Sequence, residues 1–169
     1  MNATLTAWNK ADTKAALDAM IACCGARNWA EAMVALRPIE SIAELSAAAD
    51  RVWSTMEEAD WLEAFACHPR IGERKAANAS QKSVAWSAQE QSSAARANDD
   101  ALAKLAAGNL LYGERFGFTY IVCATGKSAE QMLAILDCRL ANDRASELRE
   151  AAEQQRQITQ IRLGKWLVK

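Results

Sequence analysis

Apolar residues recur at three- and four-residue intervals through most of the chain, which is the spacing of a helix with one buried face. The pattern predicts helices over residues 11–23, 29–36, 42–56 and 59–66, then over longer stretches at 88–111, 129–140 and 144–167. Start signals agree with several of these. Ser41 with Glu44, Ser87 with Glu90 and Ser128 with Gln131 each fit a capping box, in which the N-cap hydroxyl and the side chain three residues on satisfy each other's backbone donors. Only residues 116–123 are rich in aromatic and β-branched side chains, and Gly117 makes them an extended passage in preference to a sheet strand. The predicted class is all-α, in a single compact multi-helix domain over residues 1–169, because no repeat, low-complexity linker or charge block divides the chain.

Composition supports that reading. Of the residues, 51% are hydrophobic, and much of this is alanine, a strong helix former. A chain of 169 residues can bury roughly two thirds of its unfolded surface without staples. Its 20 basic and 21 acidic residues leave a net charge of -1 with no long run of one sign, so no electrostatic footprint for nucleic acid or an anionic membrane is present. The chain opens without a basic start and apolar run, and its longest apolar stretch is too short to span a bilayer. Five cysteines, Cys23, Cys24, Cys67, Cys123 and Cys138, form no regular framework, which points to mostly buried free thiols in a reducing compartment and a cytoplasmic protein.

Candidate chemistry begins with His68, the one histidine in the sequence. It sits in the run Cys67-His68-Pro69-Arg70-Ile71-Gly72, where Pro69 cuts off a helical pattern and pushes His68 toward extended geometry. A histidine there either carries protons in a cleft or complements the end of a helix dipole. Gly126-Lys127-Ser128 ends like a phosphate loop, but Ile121 stands where that motif needs glycine. One histidine and scattered cysteines do not supply the spaced ligands of a zinc site. Cys67, as the immediate neighbour of His68, is poorly placed to pair with it as a nucleophile.

Polar residues also fall where a helix should be apolar. Ile158, Arg162 and Trp166 follow at i, i+4 spacing, which places Arg162 on the inward face. Its guanidinium needs either a structural carboxylate or a ligand carbonyl or carboxylate. Arg139, between Ile135 and Leu140, shows the same conflict, with Glu147 as a structural partner. Glu90 has a complete structural explanation in its capping box, although Ser87, Glu90 and Gln91 could also gather around a pocket with His68.

Five ordered blocks give these residues a context: HPRIG at 68–72, SAQEQ at 87–91, FGFTYIVCATGKS at 116–128, RLAN at 139–142 and IRL at 161–163. Together with Cys23-Cys24-Gly25, Trp29 and Arg37-Pro38, they strongly resemble the 2-oxo-4-hydroxy-4-carboxy-5-ureidoimidazoline (OHCU) decarboxylases along nearly the whole chain. The resemblance implies an all-helical homodimer acting on a small-molecule substrate without metal or organic cofactor, converting OHCU to (S)-allantoin. It implies His68 and Glu90 as catalytic residues and Arg162 as the substrate-binding arginine. Pro69, Ser87 and Gln91 match pocket positions, and the backbone from Phe118 through Tyr120 and Ile121 to Val122 matches the family's amide contacts. Thr119 departs from the pattern, which has proline there. A non-catalytic helical dimerisation module, or a related lyase on the same fold, is the alternative that composition alone leaves open.

Overall fold

The computed structural model describes residues 2–71, 81–90 and 99–168, without the side chains of Gln81, Ser83, Val84, Ala88, Glu90 and Asp99. Among the described residues the regular elements are all helical: α1 (Ala3–Lys10), α2 (Thr13–Cys23), α3 (Arg27–Ala35), α4 (Ile42–Ser54), α5 (Glu58–Ala66), α6 (Gln81–Glu90), α7 (Asp99–Phe116), α8 (Ala129–Arg139) and α9 (Arg144–Leu167). The all-α expectation holds. Contacts divide the chain into two compact units, residues 1–64 with 156–169, and residues 65–155, so α9 contributes its first half to the second unit and its second half to the first.

The first unit is built from α1 to α4, most of α5 and the end of α9. Asn2 joins its two ends: Oδ1 accepts from the Leu5 amide at 3.1 Å and caps α1, while Nδ2 donates to the Leu167 carbonyl at 2.9 Å. The Trp8 indole donates to the Ala16 carbonyl at 3.0 Å and meets Trp166 edge-on, with centroids 6.0 Å apart. At the C-terminus of α1, Arg37 Nη1 donates to the Trp8 and Ala11 carbonyls at 2.9 and 2.8 Å, placing a cation at the negative end of the helix. Trp29, fully buried, donates to the Ala49 carbonyl at 3.1 Å and so ties α3 to α4. Gln160 of α9 donates to the Ser46 carbonyl at 2.9 Å and to Asp50 at 2.8 Å, and Arg156 pairs with the same Asp50 at 3.1 Å.

In the second unit α7 packs on α8 at a close approach. A Cβ on Gly108 would come within 2.5 Å of Leu136 Cδ2, and Leu136 is itself fully buried, which accounts for glycine at this helix position. Helix α7 stops at Gly117, whose φ of 80° belongs to the left-handed region and whose amide still donates to the Gly113 carbonyl at 2.9 Å. Residues 117–124 then form neither helix nor strand, with a bend at 117 and 118. Tyr112, Phe116, Phe118 and Tyr120 form one aromatic cluster, with neighbouring centroids 4.7 to 6.1 Å apart.

Three cap expectations resolve differently. Ser128 and Gln131 make the full reciprocal box that starts α8. Ser41 accepts from the Glu44 amide, but the Glu44 carboxylate accepts from the Glu40 amide, one residue before the cap, so that box is half made. Ser87 is no cap at all, because α6 begins at Gln81 and places Ser87 in its interior. The cysteines carry no disulfide; Cys23, Cys24 and Cys123 are buried, Cys67 is half-buried and Cys138 is exposed.

Candidate active site

His68 follows the last turn of α5, and its amide donates to the Phe65 carbonyl at 3.1 Å. Pro69 then ends helical propagation and is buried, so the chain leaves α5 with the half-buried His68 ring turned out of the helix. The ring meets α9: Nε2 lies 2.7 Å from Oε1 of Gln155, a side chain with no exposed surface. The sequence reading missed Gln155. It lies in the polar run Glu153-Gln154-Gln155-Arg156-Gln157, where apolar periodicity vanishes. Its signal was positional: Gln155, Thr159 and Arg162 are four and three residues apart and share the buried stripe of α9 with Ile158 and Trp166.

The second unit also holds the segment 117–124. Its polar backbone is pinned at two points, with the Ile121 carbonyl accepting from Arg139 Nη1 at 2.6 Å and the Cys123 amide donating to Gln154 Oε1 at 2.8 Å. Phe118, Tyr120, Ile121 and Val122 are all buried. The Phe118 ring lies against Phe65 at 5.5 Å, three residues before His68, and the Tyr120 hydroxyl donates to the Met132 carbonyl at 3.1 Å. These side chains are therefore packed into the protein.

Arg139 pairs with Glu147, the partner that its place in the sequence suggested. Its Nε donates to Glu147 Oε1 at 2.7 Å, the Tyr112 hydroxyl donates to the same carboxylate oxygen, and Asn142 Nδ2 donates to Oε2 at 2.9 Å. Burial, followed by the bond to Glu147, pushes the Tyr112 phenol well above its ordinary range, and burial does the same for Tyr120. Both phenols therefore stay neutral. Burial opposes the charge on Arg139, but the bond to Glu147 and that carboxylate's charge outweigh it and raise its pKa.

Ser87 is buried within α6 in the same unit. Glu90 is the last residue of that helix, with its side chain outside the described residues, and Gln91 also lies outside them. Arg162 belongs to the first unit and is 2% exposed, as its spacing predicts, with Ile158 and Trp166 buried on the same face. Among the described residues no group of three or more His, Cys, Asp or Glu side chains could hold a metal ion, and no helix is long and apolar enough to cross a membrane.

The family model described as OHCU decarboxylase matches residues 9–164. The chain belongs to this family. It is 37% identical over 144 residues to the uric acid degradation bifunctional protein TTL of Arabidopsis thaliana, covering 85% of this chain and 44% of that protein. It therefore spans less than half the length of that relative. Against the 2-oxo-4-hydroxy-4-carboxy-5-ureidoimidazoline decarboxylase of Haloferax volcanii, identity is 26% over 162 residues, covering 95% of this chain and 94% of the other. A crystal structure of OHCU decarboxylase in the presence of (S)-allantoin superimposes with a TM-score of 0.77 at 34% identity, covering 90% of this chain and 99% of that one.

Proposed function

We propose that this OHCU decarboxylase family member is a carboxy-lyase that converts OHCU to (S)-allantoin at the end of urate breakdown, acting as a cytoplasmic homodimer of one-domain chains. The observation that carries this reading is His68, placed by Pro69 at the end of α5 with its ring held by a buried amide, inside a stretch matched to the family from residue 9 to residue 164.

The chemistry suits such equipment. The substrate's carboxylate leaves as carbon dioxide from a ring carbon that also bears a hydroxyl. The electron pair of the breaking bond passes into the adjacent carbon–nitrogen double bond, so the substrate holds it without an external electron sink. Once the ring nitrogen that receives the pair has taken a proton from solvent, the hydroxyl gives up its proton to become the product carbonyl, and a proton returns to the ureido-bearing carbon. His68 and Glu90 handle these two protons. Arg162, with its planar fork, binds a carbonyl or carboxylate of the substrate, while Ser87, Gln91, Pro69 and the backbone from Phe118 to Val122 orient the ring. Protonation from one face yields the S product, whereas reaction in water alone gives a racemate.

Circular dichroism of a coupled reaction tests this reading. Urate is passed through urate oxidase and hydroxyisourate hydrolase with and without the protein. Rapid growth of the (S)-allantoin signal is expected, with a loss of about 10²–10⁴-fold in rate for a folded His68→Asn variant. Slow formation of racemic allantoin in the presence of the wild-type protein would overturn it.

A further inference from the structure

Gln155 is fully buried and contributes its side-chain carbonyl oxygen to a contact of 2.7 Å with His68 Nε2, at the short end of the range for a nitrogen–oxygen hydrogen bond. An amide oxygen only accepts, so Nε2 must carry the hydrogen. We propose that Gln155 is the positioning residue of His68: it holds the neutral imidazole as the Nε2–H tautomer and presents Nδ1 as the nitrogen that exchanges protons with substrate.

Three features of the site give the contact this role. Gln155 stands within α9, eleven residues beyond its start at Arg144 and well before its end at Leu167, so the helix fixes where the acceptor is. The amide of the preceding residue, Gln154, is also engaged, accepting from the Cys123 backbone at 2.8 Å, so one turn of α9 fixes both the histidine ring and the 117–124 segment. On the other side of the contact, the bond from the His68 amide to the Phe65 carbonyl and the buried Pro69 leave the His68 backbone little freedom. Two anchored backbones and one short side-chain bond define the ring's direction, which directed proton transfer by an imidazole requires.

The choice of an amide also has a chemical consequence. A carboxylate in this place would orient the ring equally well but would favour the imidazolium by charge attraction. The neutral acceptor orients the imidazole and leaves it able to take up a proton during turnover. The catalytic consequence rests on the decarboxylase reading above; the tautomer does not.

Because His68 is the one histidine, nitrogen-15 labelling of histidine gives a ring spectrum that needs no assignment. Long-range proton–nitrogen correlation on the wild-type protein, at a pH where the ring is neutral, should show hydrogen on Nε2 and a lone pair on Nδ1. Gln155→Met keeps the length of the side chain without the acceptor and should give a mixture of tautomers, together with a fall in kcat of about 10–100-fold at little change in KM. Gln155→Glu should restore the Nε2–H form and shift the ring titration, with the limb of the pH–rate profile it governs, to higher pH. A wild-type ring with hydrogen on Nδ1 overturns the proposal, whether or not the variants fold. So does a folded Gln155→Met with wild-type tautomer and kcat. An Nε2–H ring released by Gln155→Met in a protein that forms no (S)-allantoin would uphold the positioning role and remove the decarboxylase reading alone.

Discussion

Arg139 donates through Nη1 to the Ile121 carbonyl at 2.6 Å while its Nε donates to Glu147 at 2.7 Å. One buried cation at the end of α8 thus holds the segment 117–124 with one arm and the first turn of α9 with the other. Glu147 has no exposed surface, and Arg139 is its charged partner.

Arg139→Ala would leave the Glu147 carboxylate buried without that cation. Breaking a buried pair on one side costs about 3–5 kcal/mol, because desolvation of the remaining charge is no longer offset. Urea denaturation should show a loss of that size. If the segment's backbone contacts substrate, the fraction that stays folded should also form (S)-allantoin more slowly, since its Ile121 carbonyl has lost its anchor; unchanged turnover per folded molecule would make Arg139 purely a stabilising residue.

Tyr112→Phe probes the same carboxylate more gently. Tyr112 has no exposed surface, and its ring packs on Phe116, Phe118 and Tyr120, which phenylalanine preserves. Only the hydroxyl that donates to Glu147 is lost. A hydrogen bond to a charged group contributes about 1.5–3 kcal/mol, so the variant should be less stable by that amount and far less affected than Arg139→Ala. Burial and Glu147 hold the phenol proton well above the ordinary tyrosine range, so this difference should stay constant through neutral and mildly alkaline pH. A difference that disappears near pH 10 would mean the phenol ionises there.

The same residues show where sequence reading succeeds and where it stops. Arg139 and Arg162 were legible as buried charges because each interrupts an apolar face at helical spacing, and the pairing of Arg139 with Glu147 followed from the need to compensate a buried guanidinium. The bounds of α9, 144–167, were also read correctly. Helix α1 was missed, since its start depends on Asn2 reaching both the Leu5 amide and the distant Leu167 carbonyl. Ser87 misled because Ser-x-x-Glu marks a helix start only if the residues before it are not helical, and α6 already covers six positions ahead of it, from Gln81 to Trp86. Alanine-rich stretches blur such boundaries, as alanine suits the buried and exposed faces alike. Gln155 was silent for the opposite reason: a glutamine among polar neighbours carries no sign of burial until the helix is rotated into place.

Asp143 gives the fold a pH dependence of known sign. It caps α9, with Oδ1 accepting from the Ser146 amide at 2.8 Å and Oδ2 from the Ser146 hydroxyl at 2.7 Å. These bonds, the amide first and the hydroxyl second, hold its carboxyl below the ordinary value of 3.8. A group whose folded pKa is lowered contributes stability that is present above its unfolded pKa and lost as pH falls through the folded one. Asp143→Asn retains a capping oxygen but does not ionise. The stability difference between wild type and Asp143→Asn should therefore be constant from neutral pH down to about 4 and shrink below it. Thermal melts of both proteins across that range check it, and a difference that grows on acidification would contradict the sign.

Arg162 separates a ligand-binding arginine from a stabilising one by two measurements on one variant. The side chain is 2% exposed on the buried face of α9, beside Ile158 and Trp166, where a cation needs compensation from protein or ligand. In its proposed role the substrate supplies part of that compensation, so Arg162→Ala should lower kcat/KM by about 10²-fold or more, a loss near 2.7 kcal/mol in transition-state binding. The loss should appear per folded molecule and outweigh any loss of thermal stability. The conservative Arg162→Lys should recover only part of the activity, since an ammonium keeps the charge but lacks the planar fork that meets a carboxylate at two points. If the arginine instead holds the fold, the order reverses: Arg162→Ala melts several degrees lower and what remains folded turns over at near the wild-type rate. The ratio of the two losses, read from one preparation of each variant, decides which partner the guanidinium serves.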